Sequence, residues 1–364
     1  MSKKSIIKAR AMLALMLVCG GVFFSLLVPS RDLGNSYTME EFSLKELEML
    51  AMQNGTKPDR NDVYVAHQEQ PNVILSHYVA GTQWERPRLS PPSAEEVARL
   101  SDFGFLTRNI FLEDPRTKLL RSDIDVPAFL AMDFRIDTTV DGPQVLIFHA
   151  HSMEMFEDSN PADPFTGVMG VGRLLAEILE TRHGLQVLHY TERFDMLNGV
   201  PMRPGSYERL EPVIRQILAD NPSIQVVIDL HRDGVEEHVA PMVTYIDGQR
   251  TARIMLVNGL SRRYRNGVAT PINYLPNPYL RENLAFSLNL QVASNQLFPG
   301  FARRVYLHPF RLSLHMAPRS ILLEVGAQNN TFQEALNAMP AVADIIAAIV
   351  LDDEYSSFRI GAEN

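Results

Sequence analysis

Three apolar stretches of this chain end abruptly in residues that bind metals or carry protons. Val145-Leu146-Ile147-Phe148 runs into His149, His151 and Glu154. Ile224 to Leu230 runs into His231 and Asp233, and Ile321-Leu322-Leu323 is followed by Glu324. Two imidazoles and a carboxylate within six residues form a donor set suited to a divalent metal, above all zinc. Zinc held by two His and one Glu keeps a position open for water, lowers that water's pKa and polarises a carbonyl. A separate carboxylate can then take the proton and pass it to a leaving amine. Glu324 is the candidate for that role, and the chemistry is hydrolysis of an amide.

Each element has a plainer reading. A lone His at a strand end is more often a hydrogen-bonded loop residue than a ligand. His149 and His151 gain weight as a pair because alternate strand residues point to the same side. Asp229 to Asp233 could be a turn with an Arg232 salt bridge. Glu324 is the sharpest single anomaly, because a carboxylate buried at the end of an apolar strand is costly without a partner. The coincidence of all three strand ends carries the metal expectation. The single cysteine, Cys19, excludes both a disulfide framework and a cysteine zinc site, so His, Asp and Glu must supply the ligands.

The elements that must position these residues follow from periodicity. From Pro143 onward, strands are expected at Val145–Phe148, Leu185–His189, Ile224–Leu230, Ala240–Ile246, Ala252–Asn258, Val305–Leu307 and Ser320–Val325. Helices are expected at Gly167–His183 with Gly184 as C-cap, Ser206–Asp220, Asn277–Gln296 and Thr331–Leu351. Strands alternating with helices predict an α/β domain with a mainly parallel sheet flanked by helices. Short apolar runs without alternation fit strands covered on both faces. In such a sheet the three chemically equipped ends converge on one edge.

The first third is different. Lys3, Lys4, Lys8 and Arg10 precede Ala11 to Pro29, which carries no charge and is close to the ~20 residues that span a bilayer. The basic flank sets the N-terminus inside the cell and the bulk of the chain outside. No small-x-small site closes the apolar run, and Met16-Leu17-Val18 is too bulky for lipid attachment at Cys19, so an uncleaved single-span anchor is expected. Met39 to Met52 reads as a short amphipathic helix, Asn54 to Pro92 as a linker, and Ser93 to Glu96 as the opening of another short helix. The expected organisation is a basic cytoplasmic segment (1–10), a transmembrane anchor (11–29), an extracytoplasmic spacer (30–125), a catalytic domain (126–352) and a tail (353–364). The 364-residue chain has a net charge of −9, which argues against nucleic-acid binding.

From about Pro127 to Met339 the chain resembles the stage II sporulation protein P family. The resemblance rests on His149 to Glu154, Ile228 to Asp233, Asn277-Pro278 with Glu282-Asn283-Leu284, Phe298-Pro299-Gly300, Arg311 with His315, and Glu324-Val325-Gly326 followed by Asn330-Thr331 and Glu334. It implies a fold similar to N-acetylmuramoyl-L-alanine amidases and a zinc-dependent peptidoglycan hydrolase that frees stem peptides from glycan and can cut peptide cross-links. It implies action between mother cell and forespore during engulfment, with stage II sporulation proteins D and M as partners. It also implies His149, Glu154 and His231 as ligands, with His151 as orienter or substitute, and substrate contacts from Asp233, Arg311 and His315. Two departures stand out. The family's His-Thr-His has Ala150 in the middle here, and its Arg-Tyr-Asn-Gln-His reads Arg311-Leu312-Ser313-Leu314-His315. The second motivates a competing expectation of a wall-binding scaffold without catalysis. A metallopeptidase or phosphoesterase with the same ligands is a third.

Overall fold

The computed structural model describes residues 87–351. The expected anchor, the Met39–Met52 helix, nearly all of the linker and the 353–364 tail lie outside them.

Seven strands form the central sheet: β1 (Phe111–Glu113), β2 (Val145–Phe148), β3 (Val187–His189), β4 (Val226–Asp233), β5 (Ile254–Gly259), β6 (Val305–His308) and β7 (Ser320–Ala327). Their spatial order is β1-β6-β5-β7-β4-β2-β3. Every neighbouring pair is parallel except β7 with β5, which is antiparallel. The mainly parallel α/β expectation therefore holds, with one reversal of direction inside the sheet. Val243–Ile246, within the expected Ala240–Ile246 strand, instead pairs with Gln249–Ala252, which was not expected as a strand, to form a separate antiparallel ribbon.

Helices cover both faces: α1 (Ala94–Ser101), α2 (Phe103–Asn109), α3 (Val126–Leu130), α4 (Val168–His183), α5 (Ser206–Asp220), α6 (Leu280–Leu297) and α7 (Phe332–Val350). Strand alternation sorts the core into two layers. Val145 and Ile147 of β2, with Val226, Ile228 and Leu230 of β4, enter the larger cluster with α4, α6 and α7. Leu146, Phe148 and Val227 enter the smaller one, with Leu210 and Ile214 of α5 and Met316. Phe111, Phe129, Phe148, Phe286 and Phe301 are fully buried, and each such ring stabilises the fold by about 1.5–3 kcal/mol. α7 begins with a capping box between Thr331 and Glu334. It is long and apolar enough to cross a membrane, but 83% of its apolar window is buried within this domain.

The expected boundary between residues 125 and 126 does not divide the described part. β1 pairs with β6 as an edge of the sheet, and Leu100, Leu106, Ile110, Phe111 and Leu119 belong to the main core. A three-residue strand leaves no period in the sequence; only its partner makes it a strand.

Candidate metal and acid–base site

β2, β4 and β7 lie side by side and parallel, so their carboxyl ends meet at one edge. His151, Glu154 and His231 come together there, each buried, with one ligand atom from each within 4.8 Å of the others. His151 Nδ1 lies 3.4 Å from Glu154 Oε1, and His231 Nδ1 lies 3.2 Å from Glu154 Oε2. The two imidazole rings meet edge to face with centroids 5.0 Å apart. His151 Nδ1 is buried and makes no hydrogen bond among the described residues. Two buried imidazole nitrogens and a carboxylate converging, one nitrogen without a hydrogen bond, fit a zinc ion by donor type and number.

The electrostatics agree with a site built for positive charge. Burial opposes ionisation of Glu154, yet the neighbouring His231 and His151 outweigh it and hold its carboxyl well below the usual range. Burial likewise opposes charging of His231, and Asp229 and Glu154 overcome it, so its imidazole is held well above the ordinary value. Asp229 and Glu154 on either side of His231 favour positive charge at this place. His231 Nε2 donates to Asp229 Oδ1 at 2.7 Å, which leaves Nδ1 to face Glu154 and His151. Such a carboxylate behind a ligand fixes ring orientation and tautomer. Asp229 is itself buried, accepting from the Ala150 amide at 2.9 Å and the Ser313 hydroxyl at 2.7 Å.

Glu324 is paired in register with His231. One of its carboxyl oxygens is buried without a hydrogen-bond partner. Burial pushes its carboxyl up to about 8, with the His231 charge opposing and the Glu154 carboxylate adding. Directly after it the ladder to β4 is interrupted between Glu324 and Ala327, where Gly326 takes a φ of 62°. Bulges of this kind re-aim side chains beside active sites.

His149 is not in this group. β2 ends at Phe148 and the chain turns at Ala150 to Met153, so the alternation that would put His149 and His151 on one side stops before it can act. His149 instead points to the α4 face. Its Nδ1 donates to the Leu230 carbonyl at 2.8 Å, and its Nε2 lies 2.8 Å from His189 Nε2. A Cβ on Gly172 of α4 would come within 2.8 Å of His149 and 2.9 Å of His189 Nε2, so the bare glycine makes room for the pair. Burial drives the His149 pKa down to about 4.

The other expected residues are engaged differently. Asp233 pairs with Arg303 at 2.6 Å. Arg311 and His315 both reach Glu211 of α5, at 2.8 and 3.0 Å. They hold the Pro309–Arg319 connection against that helix, so neither guanidinium nor imidazole is directed at the metal group.

Three residues missed in the sequence complete the surroundings. Asp229 had a usable signal, since Asp229-x-His231 on a strand places both on one face. Arg203, which donates to Glu154 Oε1 at 2.8 Å, and Tyr207, whose ring packs edge-on against His151 with centroids 5.4 Å apart, had none.

Residues 40–347 match the family described as Stage II sporulation protein P. The stage II sporulation protein P of Bacillus subtilis (strain 168) is 25% identical over 231 residues, covering 60% of this chain and 53% of that protein. The chain thus spans about half the length of that relative. Among solved structures, the CwlD amidase from Clostridioides difficile, in complex with the GerS lipoprotein, is 14% identical, with 59% of this chain and 99% of that chain covered at a TM-score of 0.35. The N-acetylmuramoyl-L-alanine amidase from Clostridium difficile 630 is 15% identical, with 62% and 100% covered at a TM-score of 0.32.

Proposed function

The chain belongs to the stage II sporulation protein P family, and from that premise and the site's geometry we propose that it is a membrane-anchored, zinc-dependent peptidoglycan hydrolase. The carrying observation is the buried convergence of His151, Glu154 and His231 beside a carboxyl, Glu324, held near neutrality. His151, Glu154 and His231 would hold a zinc ion, which when bound would supply a Lewis-acidic centre for amide hydrolysis. Asp229 keeps the His231 ring turned so that Nδ1 faces the site. Glu324 accepts the proton when water attacks and returns it to the departing nitrogen; a carboxyl with a pKa close to the working pH suits both directions. Tyr207 and Arg203 border the group.

The scissile bond we assign is the amide joining muramic acid to the stem peptide, with peptide cross-links as further substrates. The apolar segment 11–29 would anchor the chain as a single span, with residues 30–86 tethering the catalytic part in the extracytoplasmic space between mother cell and forespore. Stage II sporulation proteins D and M are the proposed partners, by family membership.

The test is incubation of the full chain with purified peptidoglycan and mass spectrometry of the products. Unsubstituted muramic acid is the expected signature. Glu324→Ala should lower kcat by about 10²- to 10⁴-fold while zinc content by elemental analysis stays at the wild-type level. Peptidoglycan bound but left uncut by the zinc-loaded wild type would establish the scaffold reading instead, and full activity in Glu324→Ala would remove that residue from the mechanism.

A further inference from the structure

The Asn283 and Ser313 positions were singled out in the sequence, yet neither touches the metal group. Both act on one connection, Asn283 by holding its backbone and Ser313 through its own side chain. Asn283, on α6 and fully buried, donates from Nδ2 to the Leu314 carbonyl at 2.7 Å and accepts from the Ser320 amide at 3.0 Å. It thereby ties both ends of the turn between Leu314 and Ser320. Ser313, 3% exposed, donates its hydroxyl to Asp229 Oδ2 at 2.7 Å. Asp229 accepts through Oδ1 from His231 Nε2. On the other side Arg311 and His315 fasten the same connection to Glu211.

Leu312, just before Ser313, has a φ of 53°. A branched apolar residue avoids that region unless its surroundings impose it. The result is a hydroxyl directed at a buried carboxylate that has no solvent to substitute for a lost donor.

We infer that Ser313 is a positioning residue: held by Asn283 and Glu211, it fixes the Asp229 carboxylate and, through it, the orientation of the His231 ring toward the metal. The inference rests on the zinc reading of His151, Glu154 and His231. Without the hydroxyl, Asp229 retains the Ala150 amide and His231 on one oxygen and loses, on the other, its one side-chain donor among the described residues. The carboxylate can then rotate, and His231 loses its fixed partner.

Zinc affinity of the full chain, measured by competition with a chelator well below the unfolding temperature, tests this without recourse to turnover. Loss of a direct outer partner costs about 10- to 100-fold in metal affinity, and Asp229→Asn should fall in that range. Ser313→Ala, one bond further out, should weaken zinc binding by about three- to tenfold. Ser313→Cys, close in shape with a weaker donor, should move it less and in the same direction, and serves if the alanine variant does not fold. In the Asp229→Asn background Ser313→Ala should add less than about twofold. Ser294→Ala, an equally buried serine on α6, should leave affinity unchanged. Wild-type affinity in both Ser313 variants, an undiminished Ser313 effect on Asp229→Asn, or an equal loss in Ser294→Ala would each overturn the inference alone. A wild-type chain that takes up no zinc overturns the metal reading with it.

Discussion

His149 and His151 are separated by one residue and end on opposite faces of the sheet in opposite chemical circumstances. Beneath α4, His149 has both nitrogens engaged, by the Leu230 carbonyl and His189, in a space cleared by Gly172. On the α5 face, His151 keeps a buried Nδ1 without a hydrogen bond, turned toward Glu154 and His231. Both are buried imidazoles. What separates a structural histidine from a candidate ligand is whether its nitrogens are already satisfied and whether carboxylates face it. One face has closed its polar network, and the other leaves donors facing inward.

The sharpest break of that comparison is a paired substitution. His151→Ala should weaken zinc binding by about a hundredfold or more, beyond the loss of an outer partner. His149→Ala should keep zinc to within about tenfold and lose about 1–3 kcal/mol of folding stability, because the Leu230 carbonyl is left unsatisfied. Chelator competition and denaturant melts on the two variants give both quantities, and a reversed pattern would exchange the two roles.

Gly172→Ala probes the closed face alone. A methyl there meets the His149 ring at 2.8 Å, and overpacking of this kind costs about 1–3 kcal/mol. Stability should fall with zinc affinity unchanged; a variant as stable as wild type would show that α4 has room to shift.

The pH dependence separates the two faces by direction, because they should respond in opposite senses. His149 is depressed from 6.5 to about 4, so its contribution is full above 6.5 and is lost as pH falls toward 4. Glu324 is raised from 4.5 to about 8, so its contribution is full below 4.5 and is lost as pH climbs toward 8. In chelator-treated protein, wild type should lose stability relative to Glu324→Gln as pH rises through that second window, and relative to His149→Leu as pH falls through the first. A difference that stays flat with pH in either pair would count against that face's assignment.

Much of the site was visible in residue types. Three apolar strands ending in His, Glu and Asp pointed to one edge of a parallel sheet, and β2, β4 and β7 do lie together and parallel. α4 and its Gly184 cap were equally legible, since the helical period and the glycine at its end are local. The partition of His149 from His151 was not. It depended on β2 stopping at Phe148, and strand length is set by pairing with β3 and β4. β1 was hidden for a related reason, and so were Glu211 and Arg203, ordinary surface residue types until the fold delivers them to His315 and Glu154.

The sequence by itself determined the chemistry available: an α/β sheet, no cysteine ligand, and imidazoles and carboxylates concentrated at strand ends, because those follow from composition and local periodicity. Only the tertiary structure decided which imidazole faces Glu154 and His231, which carboxylate stands behind His231, and that β1 joins the sheet. Those outcomes depend on partners tens of residues away, such as Leu230 and His189 for His149 or Ser313 for Asp229. A buried polar group takes its role from whichever distant partner satisfies it, and that partner is chosen by packing.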